Sequence, residues 1–130
     1  MTRITRIEIA GQQTHGGEPF PLAFACQDAA IDLPATTDFV RGWRDDLLKA
    51  AARHGAVLFR GFPLRTAADF DAFVAAFDLP NFPYDESLSN AVRVNKTPRV
   101  FTANEAPPSV TIFLHHEMAQ TPIYPSRLFF

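Results

Sequence analysis

The sequence has 130 residues, a net charge of −2, and 13 phenylalanines against two tyrosines and one tryptophan. That length suits one domain or part of one, able to bury roughly two thirds of its unfolded surface. With 47% hydrophobic and 20% charged residues the chain is a folding sequence, and the absence of a Lys/Arg cluster argues against nucleic acid or an anionic membrane as partner.

Ile7-Glu8-Ile9 alternates and predicts a short strand, and His15-Gly16-Gly17 a turn. Pro21 to Cys26 reads as a second extended segment. Residues 27–36 read as loop, with Asp28, Asp32 and Pro34 as breakers. A first helix follows, capped by Thr36 or Thr37, with Phe39, Val40, Trp43, Leu47, Leu48 and Ala51 at helical spacing and Gly55 at its left-handed end. Residues 56–60 predict a strand ended by Gly61. Thr66 then caps a second helix over 67–77, whose Phe70, Phe73 and Phe77 stripe reads as core.

From 80 to 109 five prolines break the pattern, leaving short strand candidates at Val92–Val94 and Arg99–Thr102. Val110 to His116 predicts a longer strand, and Arg127-Leu128-Phe129-Phe130 the start of another. An apolar β segment at the end of a chain leaves an exposed edge, so residues 1–130 are expected to be the N-terminal portion of a larger domain whose C-terminal part is absent. Cys26 is the only cysteine, so no internal disulfide forms, which fits a reducing cytoplasm. The first residues carry no apolar core of a signal peptide, and no apolar run approaches the ~20 residues that span a bilayer.

His115-His116-Glu117 is the segment with the most chemistry. On a strand, His115 and Glu117 share a face and His116 takes the other. Imidazole and carboxylate side by side suit Fe(II) with open positions, and also suit zinc. The plainer reading is a strand-end histidine that is only hydrogen-bonded. His116 is read either as a packing residue or as a contact to substrate or to a metal ligand. Asn104 and Glu105 belong either to a loop touching substrate or to a solvated turn. Arg60 is read as structural, and Cys26 as a small buried residue.

Leu114-His115-His116-Glu117-Met118-Ala119, followed by Tyr124-Pro125 and Leu128-Phe129-Phe130, resembles the TauD/TfdA-like, clavaminate-synthase-like family of Fe(II)/2-oxoglutarate-dependent dioxygenases. Gly55-Ala56-Val57-Leu58-Phe59-Arg60-Gly61-Phe62 looks like the family's G-x-V-L-F-R-G-F strand. Phe101-Thr102-Ala103-Asn104-Glu105-Ala106-Pro107 looks like its Y-T-A-N-E-x-P segment, with Phe in place of Tyr. Order and spacing agree over residues 37–130.

The resemblance implies an α+β protein: a partial double-stranded β-helix (jelly roll, cupin-like) with two N-terminal helices packed on the sheet. It implies that His115 and Glu117 bind iron, with Asn104, Glu105 and His116 as contacts to substrate or to the ligands. It implies 2-oxoglutarate and O₂ as cosubstrates and a small, amino-acid-derived substrate that is hydroxylated as 2-oxoglutarate becomes succinate. The family's third ligand is a histidine far downstream, and an arginine beyond it holds 2-oxoglutarate; no residue here matches either. The chain alone is therefore expected to be inactive. A non-catalytic interaction module or partner half of a split jelly roll, and a zinc-binding protein, are the alternative readings.

Overall fold

The computed structural model describes residues 4–83, 93–103, 105–116, 118–119 and 121–130. The chain divides into two compact units, residues 1–78 and 79–130. Among the described residues it is a mixed α+β protein with two small sheets and two helices.

In the first unit, β1 (Ile4–Ile7), β4 (Leu22–Cys26) and β5 (Val57–Arg60) form a sheet in the order β1-β4-β5. Strand β1 lies antiparallel to β4, with Ile4 opposite Cys26. Strand β5 runs parallel to β4, with Leu22 opposite Val57 and Ala25 opposite Arg60. A parallel pair needs a crossover, and helix α1 (Leu33–His54) supplies it. Strands β2 (Gln13–His15) and β3 (Glu18–Phe20) form a separate hairpin around the expected Gly16-Gly17 turn. The first strand sits earlier than its sequence pattern suggested, because Ile4–Ile7 is the stretch that finds ladder partners on β4.

Helix α1 begins earlier than expected. Asp32 is its N-cap, its carboxylate accepting from the Ala35 N–H at 2.8 Å. Pro34 lies in the first turn, where its missing N–H leaves no intrahelical bond unmade. Asp32 and Pro34 thus start the helix rather than break it. Thr36 and Thr37 are buried inside the helix, their hydroxyls donating to Asp32 O and Pro34 O at 2.9 Å each. Gly55 ends the helix with φ 79°, as its position predicted. Trp43 is not core: it is 56% exposed, while Thr36, Val40 and Leu47 form the buried stripe.

Gly61 has φ 73°, and a Cβ there would lie 2.6 Å from the Cys26 carbonyl oxygen, so only glycine fits the end of β5. Helix α2 (Ala67–Ala75) then opens with a capping box. The Thr66 hydroxyl accepts from the Asp69 N–H at 3.1 Å, and the Asp69 carboxylate accepts from the Thr66 N–H at 2.9 Å. It stops at Ala75 rather than Phe77, because the Phe77 and Asp78 N–H groups bond three residues back, to Val74 O and Ala75 O. The Arg44 guanidinium of α1 donates to Phe77 O at 2.5 Å and Asp78 O at 3.4 Å, satisfying carbonyls at that terminus. Phe73 and Phe77 are buried, and Phe73 meets Phe59 edge-on at 5.2 Å. The helices are therefore not N-terminal: four strands precede α1. No helix among the described residues is long and apolar enough to cross a membrane.

In the second unit the expected strands are largely unmade. Val94 and Thr102 exchange hydrogen bonds at 2.9 and 3.0 Å, and Asn95 bridges Phe101; Thr97 Oγ1 closes the intervening turn by accepting from the Arg99 and Val100 N–H groups. Val92 lies outside the described residues. The strands expected over 110–116 and 127–130 are absent; those residues are irregular. Strand-forming composition lowers the cost of an extended backbone, but a strand exists only where a neighbour completes its ladder. No ladder reaches 110–116 among the described residues.

Candidate functional site

His115 and His116 lie on the irregular segment after Leu114, and both are exposed. Because that segment is not a strand, the expected sorting of His115 and His116 onto opposite faces has no pleat to enforce it. Glu117 and Asn104 lie outside the described residues. Glu105 is exposed on irregular backbone. Among the described residues no three His, Cys, Asp or Glu side chains gather where they could hold a metal.

His115 does carry one defining contact. Its Nδ1 lies 2.7 Å from the Phe113 carbonyl oxygen. A carbonyl only accepts, so Nδ1 bears the proton, and the neutral ring has its lone pair on Nε2. Histidines that bind metals commonly donate their other ring N–H to a backbone carbonyl or carboxylate in this way. The donor chemistry of His115 thus fits a first-row divalent metal, although the residues described do not complete a set.

The backbone turns sharply just beyond. Met118 is buried and has φ 56°, the left-handed region that a long side chain seldom adopts. The Thr121 N–H donates to Met118 O at 3.2 Å, and the Ala119 N–H to His116 O at 3.3 Å. Such conformations concentrate at functional sites, where surrounding contacts hold them. Met118 lies in the family-like segment, but its positive φ is not legible in the sequence, since a methionine after a predicted strand carries no sign of it.

Among the described residues the perturbed carboxyls belong to the first unit. The hydrogen bond from the Arg65 N–H, followed by those with the Thr66 side chain and N–H, holds the Asp69 carboxyl below its ordinary pKa, and a hydrogen bond from Arg53 does the same for Glu18. Glu18 accepts from Arg53 Nε at 2.9 Å and from Nη2, and Pro19 O accepts from His54 Nδ1 at 3.0 Å, which ties the β2–β3 hairpin to the end of α1. Both acids are fastenings of the fold. Arg60 is exposed at the end of β5, and Cys26 is half-buried, its Sγ 3.7 Å from Asp28 O.

Comparison with known proteins locates the segment in a family. The sequence model of the taurine catabolism dioxygenase TauD, TfdA family matches residues 17–130, which include both histidines and Glu117. A clavaminate synthase-like protein of Arabidopsis thaliana is 40% identical over 127 residues, covering 94% of this chain. The chain spans 38% of the length of that curated relative.

Proposed function

This chain belongs to the TauD/TfdA family of dioxygenases, and from that premise we propose that it is the N-terminal portion of a single Fe(II)/2-oxoglutarate-dependent dioxygenase domain. The observation that carries the reading is the family match over residues 17–130, with His115-His116-Glu117 inside it. His115 and Glu117 are two of three protein ligands. A histidine and a 2-oxoglutarate-binding arginine supplied by sequence beyond this chain complete the site. The whole domain is a jelly roll, in which 110–116 becomes a paired strand.

Within that reading His115 binds through Nε2, because Nδ1 is committed to Phe113 O. The Phe113 carbonyl sets the ring's orientation and raises the basicity of the bonding nitrogen. Glu117 contributes negative charge against the cation. Bound iron supplies the oxidative chemistry that turns 2-oxoglutarate to succinate and hydroxylates the substrate. Asn104, Glu105 and His116 are contacts to substrate or to the ligands. A glutamate ligand in this position, and the clavaminate synthase-like relative, favour a small amino-acid-derived substrate. The single cysteine and the lack of a basic cluster support a cytoplasmic protein that engages neither nucleic acid nor membrane.

Two experiments test this. In a protein of full family length, His115→Ala or Glu117→Ala abolishes Fe(II) binding read by calorimetry, while His116→Ala retains it; equal loss in all three overturns the ligand assignment. The 130-residue chain supplied with Fe(II), ascorbate and 2-oxoglutarate forms no succinate. Succinate above the metal-free control would show that this chain needs no further ligand.

A further inference from the structure

The segment that carries His115 has few attachments. Every residue from 107 to 116 is exposed, and among the described residues from there to 130 only Met118 and Thr121 are buried, each 6% exposed. These two are tied to each other, the Thr121 N–H donating to Met118 O at 3.2 Å. The same turn reaches back to the histidines, the Ala119 N–H donating to His116 O at 3.3 Å. Thr121 is the polar half of the anchorage. Its Oγ1 accepts from the Ile123 N–H and donates to Ile123 O, both at 3.2 Å, so the buried hydroxyl is satisfied.

Met118 has φ 56°. Glycine adopts that conformation at no steric cost, whereas for methionine the cost must be offset by contacts elsewhere. Burial of the side chain is the offset visible here: an unbranched thioether fills irregular apolar space and leaves water. The side chain therefore fastens a backbone shape that glycine would take unaided, and it does so three residues after His115. We propose that Met118 is a positioning residue for the candidate metal site. With Thr121 as the second fastening, it fixes the course of the segment that carries His115. The Phe113 carbonyl sets the rotation of the imidazole; Met118 and Thr121 set where the backbone beneath it runs. A ligand on a segment that no ladder holds among the described residues would lose backbone freedom when a metal binds, which weakens affinity. Anchorage in the metal-free protein removes part of that cost. The inference rests on the metal reading of His115 given above.

The test uses a protein of full family length and Co(II), whose visible absorption reports its coordination geometry. Affinity is read by calorimetry, and the metal-free melt shows that each variant is folded. Met118→Gly keeps the backbone shape and deletes the anchor; it is expected to weaken Co(II) binding at least about tenfold and to change the absorption bands. Met118→Leu conserves the buried volume and is expected to restore both. Thr121→Val removes the second fastening without changing its size and is expected to weaken binding, with Thr121→Ser restoring it; this pair decides the matter if Met118→Gly does not fold. A Met118→Gly protein that melts lower but binds Co(II) with unchanged affinity and spectrum would show that Met118 only packs, and would overturn the proposal. Equal loss in Met118→Leu and Met118→Gly would overturn it too. Co(II) binding that His115→Ala abolishes while Met118→Gly and Thr121→Val leave it intact defeats this inference alone. No Co(II) binding by the unaltered protein defeats the catalytic reading and the inference with it.

Discussion

Residues 4–78 and residues 79–130 are both rich in apolar and aromatic side chains, yet they use them differently. In the first unit Phe59, Phe62, Phe73 and Phe77 meet one another edge-on, with centroids 5.2 to 6.3 Å apart. Each strand of its larger sheet finds a neighbour within the same stretch of chain. Among the described residues of the second unit the backbone hydrogen bonds close turns and one short bridge, and the strand-like run 110–114 keeps its side chains in solvent. Hydrophobic residues stabilise a fold only where other elements present surfaces to cover them. Helix α1 carries the chain from β4 to β5 and thereby brings those surfaces together.

The largest test of this contrast is Phe73→Ala, expected to destabilise the first unit by about 3–5 kcal/mol, against a change within about 0.5 kcal/mol for Leu114→Ala, both read by urea denaturation. Equal costs would mean that Leu114 is packed in solution and would erase the distinction. Gly61→Ala comes next, at roughly 1–3 kcal/mol, since the new Cβ meets the Cys26 carbonyl at a positive φ. An unchanged melt would show that the end of β5 relaxes freely. Thr66→Ala removes the acceptor at the start of α2 and is expected to cost about 1 kcal/mol, lowering the urea midpoint with little change in slope.

The smallest effect is on pH. Asp69 and Glu18 titrate below their ordinary values in the folded protein. Their contribution is therefore complete above the ordinary carboxylate pKa of about 4 and fades as the pH falls through the lowered folded values. Melting of the chain should decline on acidification in that window, and Asp69→Asn should flatten the decline. A stability that rises on acidification would contradict both hydrogen-bonded carboxylates.

Much of the first unit was legible because its signals are local. Gly16-Gly17 marks a turn, Gly55 a helix end, Thr66 a cap, and the β4 and β5 segments are short apolar runs closely matching their observed bounds. The misreadings have local causes too. Asp32 and Pro34 look like breakers, but one caps a helix and the other is tolerated in its first turn. Trp43 fits the helical period, but Val40 and Leu47 take the buried stripe, and Arg44 beside it reaches across to the end of α2. For the candidate site, residue identity was legible and geometry was not. His115-His116-Glu117 and its flanking segments point to a family by side-chain chemistry, whereas the Phe113 carbonyl and the left-handed Met118 belong to backbone conformation, which no residue type announces here.

The sequence by itself determined the family, the Thr66 cap of α2 and the glycines that end α1 and β5. These depend on side-chain chemistry or on steric limits acting within a few residues. Only the tertiary structure decided which apolar segments became strands, that β5 runs parallel to β4, that Phe73 is covered and that Leu114 is not. Those outcomes depend on whether a second segment arrives to complete a ladder or cover a face, and nothing within Val110 to His116 specifies its neighbour.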